Sequence, residues 1–363
     1  MKHLHAAPGT GEGTRPLRRK TGSGWKNIYA PLAGIAASVL LILGFAQHPA
    51  AALASLFTDT FTSAYYFGNM LNTAAFFMIA GTGAALAIQG GNMNLGGEGQ
   101  VYIGGFAGCT VLNALHAPAP LVFCAALVLA CASGAAMALV SALLRELRGA
   151  RVLLTSFLVS AAAIPLIDGL ITSSRHSADT NMLALPYIAQ QYRLPQILPP
   201  SPLSPSIFLA VAICIAAWHV LYRTAAGRRI RLWGAAPQFA RYCGYPAAEN
   251  TCGTAAASGA LHALTGFLAV CGTFYTCHKG FYTNMGWNAL NVALIAASDP
   301  LAVIPTSVML AWIFTSASRV SLTQGFSFDI AGIVQGVILF SIAVPAAART
   351  LAAQTQKGRE AAR

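Results

Sequence analysis

Apolar and polar residues alternate along this chain in long blocks, without the period of two that marks a barrel strand. The blocks predict helices over about 30–47, 70–89, 101–115, 121–144, 152–172, 206–222, 254–275, 301–317 and 330–347, with a shorter run at 287–297. Most of these reach the 17–25 residues that a hydrocarbon core about 30 Å thick demands of a spanning helix. The fold class expected is therefore all-α, a polytopic membrane bundle of about eight to ten transmembrane helices.

Two places interrupt the pattern, one in each half. The first is "GNMNLGGEGQ", Gly91 to Gln100; the second is "NMGWNALNV", Asn284 to Val292, which leads into Asp299-Pro300. Both are polar, contain glycine and adjoin short apolar segments. Unwound backbone at membrane depth persists only where it is buried in protein or lines a cavity. Broken or re-entrant elements near 90–100 and 284–300 are thus expected, with Asn92, Asn94, Glu98, Gln100, Asn284, Asn288 and Asn291 lining a substrate path. Asn284, Asn288 and Asn291, spaced by four and three, share one helical face. The bland alternative for the first break is a cytoplasmic turn, but no basic residue occurs between Tyr65 and Arg145. Glu98 is too costly to expose to lipid; contact with substrate and bracing of helices both remain open for it.

Composition agrees with a membrane solvent. Hydrophobic residues make up 56% of the 363, charged residues 9%, and mean hydropathy is +0.61, whereas soluble domains carry about 25% charged residues. The net charge of +12 would suggest nucleic acid in a soluble protein, yet its distribution points elsewhere. Of 22 cations, six lie in Lys2–Lys26, three at Arg145, Arg148 and Arg151, five in Arg223–Arg241 and four from Arg349 onward. The positive-inside rule assigns these segments to the cytoplasm, facing anionic membrane lipid, with both termini inside.

The domain map follows. Residues 1–28 form a disordered basic cytoplasmic tail, 29–348 the transmembrane domain, and 349–363 a second cytoplasmic tail. The apolar run after the basic start reads as a retained anchor rather than a cleaved signal. Within the membrane domain, 56–69 is expected as an outer interfacial helix, 173–205 as an external Pro-rich loop and 223–252 as a cytoplasmic loop, where Pro237 starts a short helix.

Enzyme chemistry finds no footing. None of the five lysines follows a glycine, as the GxxxxGK[ST] phosphate loop requires, and the eight histidines and eight cysteines show no ligand spacing. No metal and no cofactor are expected. An ion-coupled secondary transporter of a small polar solute is the rival from another class, though Glu98, Asp168, Asp299 and Asp329 are few and lie near helix ends for a proton relay.

The motif "NMNLGGEGQVYIGG" resembles the Asn-(Ile/Leu)-Gly-x-Glu-Gly-Gln signature of permease subunits from the ribose and nucleoside class of bacterial ATP-binding-cassette importers. "GRRIRLWGAAPQFARYCGY" is similar to that family's cytoplasmic motif, and "ASGALHALTGFLAV", "GWNALNVALIAASDPLAVIP" and "IVQGVILF" to its later helices. The longer N-terminus looks more like the larger permease of nucleoside-type systems. The resemblance implies a permease in the bacterial inner membrane that carries a nucleoside, with a simple sugar such as ribose as second choice. It also implies a cytoplasmic ATPase that uses the ATP, a second paralogous permease or a second copy of this chain, and an external substrate-binding lipoprotein. Arg231, Gly234, Pro237, Ala240, Arg241 and Gly244 would couple to the ATPase. Departures are Ala236 in place of a capping Asn, Phe239 in place of a small residue, and Trp287 to Ala289 where a Gly-rich turn is common.

Overall fold

The structure is a computed structural model that describes residues 29–46, 48–173, 182–324, 329–342 and 344. The tails expected at 1–28 and 349–363, and part of the Pro-rich loop, lie outside these. The helices are α1 (Tyr29–Phe45), α2 (Pro49–Thr62), α3 (Ala64–Gln89), α4 (Gly97–Ala114), α5 (Ala119–Arg148), α6 (Val152–Ser173) and α7 (Ser206–Arg223). They continue with α8 (Ala225–Ala235), α9 (Pro237–Tyr242), α10 (Ala247–Ala269), α11 (Met285–Ile295), α12 (Pro300–Thr323) and α13 (Ile330–Ile342). The described residues contain no strand beyond one bridge between Ala184 and His278.

Among the described residues six helices are long and apolar enough to cross a membrane: α3, α5, α6, α7, α10 and α12. The chain is a multi-pass helical membrane protein. α3 and α10 form its centre, 78% and 72% buried over their apolar windows, while α6 and α7 are only 22% and 28% buried. Lipid tails give no hydrophobic drive between helices, so close approach must come from small residues. Gly134 of α5 and Gly259 of α10 supply it: a Cβ on either would fall against the backbone of the other.

Two expectations shift. The segment 56–69 is not one interfacial helix. α2 ends at Ser63 in extended backbone and α3 begins at Ala64, because the aromatic residues here pack on α12 and on one another: Phe57 on Trp312 at 6.0 Å, Phe61 on Phe67 at 6.3 Å. The loop 223–252 is mostly helical, with Thr224 capping α8 by accepting from the Gly227 N–H. α12 also runs six residues past its expected end at 317. Arg319 stays inside the helix because Asp59 accepts from its Nε at 2.8 Å and the Tyr66 ring lies under its guanidinium at 3.6 Å.

Segment 182–205 closes one end of the bundle. It is pinned by backbone hydrogen bonds from Leu185 to Cys277, Ile188 to Tyr275 and Leu194 to Cys271. The opposite end carries Arg145, Arg148, Arg151 and the α8–α9 arginines.

Candidate functional site

The first break starts at the arginine end. α3 stops at Gln89, and Gly91, at φ +74, turns the chain back into the bundle, a conformation that favours glycine. The unwound stretch then finds partners on three helices. Asn92 Nδ2 donates to Thr254 Oγ1 at 2.9 Å, Arg145 donates to Asn92 Oδ1, and Asn250 Nδ2 donates to the Gly90 carbonyl at 2.8 Å. Asn94 donates to Gln100 Oε1 (2.8 Å) and Ser258 Oγ (3.0 Å) and accepts from the Gly96 N–H (2.9 Å) and Gln100 Nε2 (3.2 Å). The Leu95 and Gly99 N–H groups donate to Ser156 and Ser160 Oγ.

The second break enters from the other end. A π-turn at Val270–Phe274 closes α10, Tyr275 is left-handed, and the chain descends to Asn284, also left-handed at φ 68, before α11 begins. α11 ends as abruptly, at Ala297 and Ser298 with φ of 50 and 59. Four non-glycine residues in this region of backbone within 24 positions mark a strained element.

The two breaks meet inside the bundle. A Cβ on Gly286 would strike the Glu98 and Gly97 backbone, so the N-termini of α4 and α11 touch. From there the helices diverge. α4 reaches the end capped by 182–205, where Asn113 Nδ2 donates to the Pro186 carbonyl, and α11 reaches the foot of α3, where Gln89 Nε2 donates to the Ser298 carbonyl. Two helix N-termini head to head bring like partial charges and orphan N–H groups together. Glu98 answers both: its Oε1 accepts from the Gly286 N–H at 2.9 Å and the Trp287 N–H at 3.1 Å. Asn284, the N-cap of α11, makes no side-chain cap bond. Glu98 caps α11 from another helix, and the geometry places it as a brace.

A cavity of about 590 Å³ opens beside α11 at the 182–205 end. Aromatic rings wall it, among them Tyr65, Tyr66, Phe77 and Phe314, and Asn284 and Asn288 border it. A second cavity, about 740 Å³, opens at the arginine end against Asn92, Arg145, Arg151, Pro237 and Arg241. Asn94, Gln100 and Asn291 border neither of these two cavities.

The arginine-end motif is braced from within. Arg231 donates through Nε to the Leu221 carbonyl and lies 4.7 Å from the Tyr222 ring centroid. A Cβ on Gly234 would strike the Gln89 carbonyl, so α8 rests on the last turn of α3. Ala240 is buried, whereas Pro237 and Arg241 are exposed. Gly244 takes φ +76. Ala236 leaves α9 without a side-chain cap, as its departure from the motif implies.

Residues of α3 were not anticipated from the pattern. Asn69 and Asn72 line the first cavity, and Arg319 and Gln335 join them from α12 and α13. The signal was available in "GNMLN": two carboxamides three apart at the start of an apolar span.

Residues 66–343 match the family described as "Branched-chain amino acid transport system / permease component". A "probable riboflavin import permease protein" of Treponema pallidum is 30% identical over 86% of this chain and 83% of its own. A guanosine ABC transporter permease protein of Bacillus subtilis is 23% identical over 91% and 96%. A glucose ABC transporter permease protein of Haloferax volcanii is 26% identical over 89% of each chain.

Proposed function

The chain belongs to the family of branched-chain amino acid transport system permease components, and from that premise we propose that it is the permease of an ATP-binding-cassette importer for a nucleoside. The observation that carries the reading is the pair of cavities at opposite ends, with Asn284 and Asn288 on one and Asn92 on the other. The first cavity combines aromatic walls with carboxamides, the pairing that holds a planar heterocycle bearing a ribose. Guanosine, named for one relative, has that chemistry, and riboflavin, named for another, pairs a planar heterocycle with an open ribityl chain; a bare sugar would leave much of the aromatic wall unused.

The arginine end is the cytoplasmic one in this reading. Counting α1, α3 to α7, α10, α11 with its re-entrant lead, α12 and α13 gives ten crossings, so both termini lie inside the inner membrane. A cytoplasmic ATPase docks on α8 and α9 through the exposed Pro237 and Arg241. An external binding lipoprotein delivers substrate near 182–205, and a second permease, paralogous or identical, completes the pathway.

Extraction of the tagged chain from its native membrane tests this. A cassette ATPase should co-purify and be lost when residues 234–244 are scrambled, and the assembly should move guanosine only with ATP. Solute movement by this chain alone, without ATP and abolished by a protonophore, would overturn the reading in favour of an ion-coupled transporter.

A further inference from the structure

The first cavity holds more than a smooth passage would need. Asn72 is 2% exposed and Asn288 7%, both line the cavity, and the Oδ1 of each has no hydrogen-bond partner among the described residues. Asn72 Nδ2 is committed to Thr273 Oγ1 at 2.9 Å, which fixes the carboxamide by tying it to the π-turn. Asn288 is fixed by position, one turn into α11. A buried acceptor without a donor is costly, and here two such acceptors border the same cavity.

Their surroundings define the missing donors. Phe76, Phe77 and Phe314 are each less than 8% exposed and line the same cavity, with Phe77 edge-on to Phe314 at 6.1 Å between centroids. Such a wall offers apolar faces against which a flat ring can lie, and a ring that carries N–H groups also satisfies the acceptors. A sugar hydroxyl could donate, but it brings no flat face to the phenylalanines. Thr283 and Asn284 line the cavity on the α11 approach and offer polar contacts to a ribose.

We infer that this permease has its own substrate-selective site, in which the Asn72 and Asn288 carboxamide oxygens accept hydrogen bonds from the ring N–H and exocyclic amino groups of an aromatic base. The inference rests on the nucleoside reading and deepens it. Selection then occurs twice, once in the external binding protein and again inside the membrane. A site built to pair buried polar groups rejects a ligand lacking the donors far more strongly than an apolar pocket rejects a misfit.

The test uses the complete importer in proteoliposomes, with the binding protein saturated by guanosine, inosine or 1-methylinosine. These offer the base edge two donor groups, one and none. At equal saturation the wild-type importer should move guanosine at least tenfold faster than 1-methylinosine, with inosine between. Asn288→Leu and Asn72→Leu should each lower guanosine uptake at least tenfold and leave 1-methylinosine uptake within about twofold. Equal wild-type rates for the three compounds would overturn the inference while leaving the importer reading intact. An equal fall of all three in the variants would also overturn it, since that is the mark of a structural role. Failure of the wild-type importer to move any of them with ATP would remove the nucleoside reading and the inference with it. The wild-type series needs no variant to fold, so it decides even if a substitution prevents assembly.

Discussion

At 90–96 the backbone leaves its helix and the carboxamides of Asn92, Asn94 and Gln100 are hydrogen-bonded at both ends. At 275–284 it does so again, yet on the turns of α11 that follow, Asn291, fully buried, has neither carboxamide atom paired among the described residues, and Asn288 lacks a partner for its oxygen. Both stretches look alike in sequence: polar, glycine-bearing, placed between apolar runs. Their hydrogen bonding assigns them different work. The first is a scaffold that holds α4 against α5, α6 and α10; the second keeps polar groups in reserve on α11, which is strained at both ends.

Removal of Glu98 should have the largest effect, because it joins the two regions. Glu98→Ala leaves two N–H groups at the α11 N-terminus without a carboxylate, and hydrogen bonds to charged groups are worth about 1.5–3 kcal/mol each. Uptake by the assembled importer should fall at least a hundredfold, with a lower thermal midpoint; Glu98→Gln, which keeps one acceptor, should recover part of the midpoint. Uptake within threefold of wild type for Glu98→Ala would mean that the two regions are not coupled through this side chain.

The contrast itself is sharpened by two substitutions read in one thermal assay. Asn94→Leu breaks four hydrogen bonds and should destabilise by about 2–4 kcal/mol. Asn291→Leu replaces an unpaired carboxamide by an apolar group of similar size and should be neutral or raise the midpoint, while slowing uptake. Destabilisation by both to the same extent would erase the distinction drawn above.

The class, a polytopic helical bundle, was legible because run length and polarity report directly on a hydrocarbon solvent. The sites of the two breaks were legible for the same reason, as places where polarity is expensive. What each asparagine does was not, since Asn94 and Asn291 differ only in whether Ser258 and Gln100, or nothing, come to meet them. The bracing role of Glu98 depends on residues 188 and 189 positions away, a separation that no local pattern encodes. Asn72 escaped notice because it falls inside a span whose other residues read as ordinary helix.

Smaller effects follow at the two ends. Gly234→Ala should push α8 off α3 and lower ATP-driven uptake several-fold without disturbing insertion, measured in the same vesicles. At the 182–205 end, burial among Phe274 and Phe281 lowers the His278 pKa below its ordinary 6.5. The opened form therefore takes up its proton at a higher pH than the packed form. Amide protection of residues 183–188 should hold above pH 7 and decline as pH falls below about 6.5; protection that stays flat to pH 5 would separate this histidine from the closure of that end.

The contact of Gly234 with the Gln89 carbonyl has a mechanical meaning. Side chains between helices act as springs, because rotamers can change and absorb a displacement before it travels. Backbone against backbone has no such slack. A tilt of α8 by a fraction of an ångström is delivered undiminished to the last turn of α3, and one residue further on lies Gly90, where the helix gives way to the first break. The stroke of a motor engaged on this face would thus be spent where α3 gives way to the first break, rather than lost in the fit between helices.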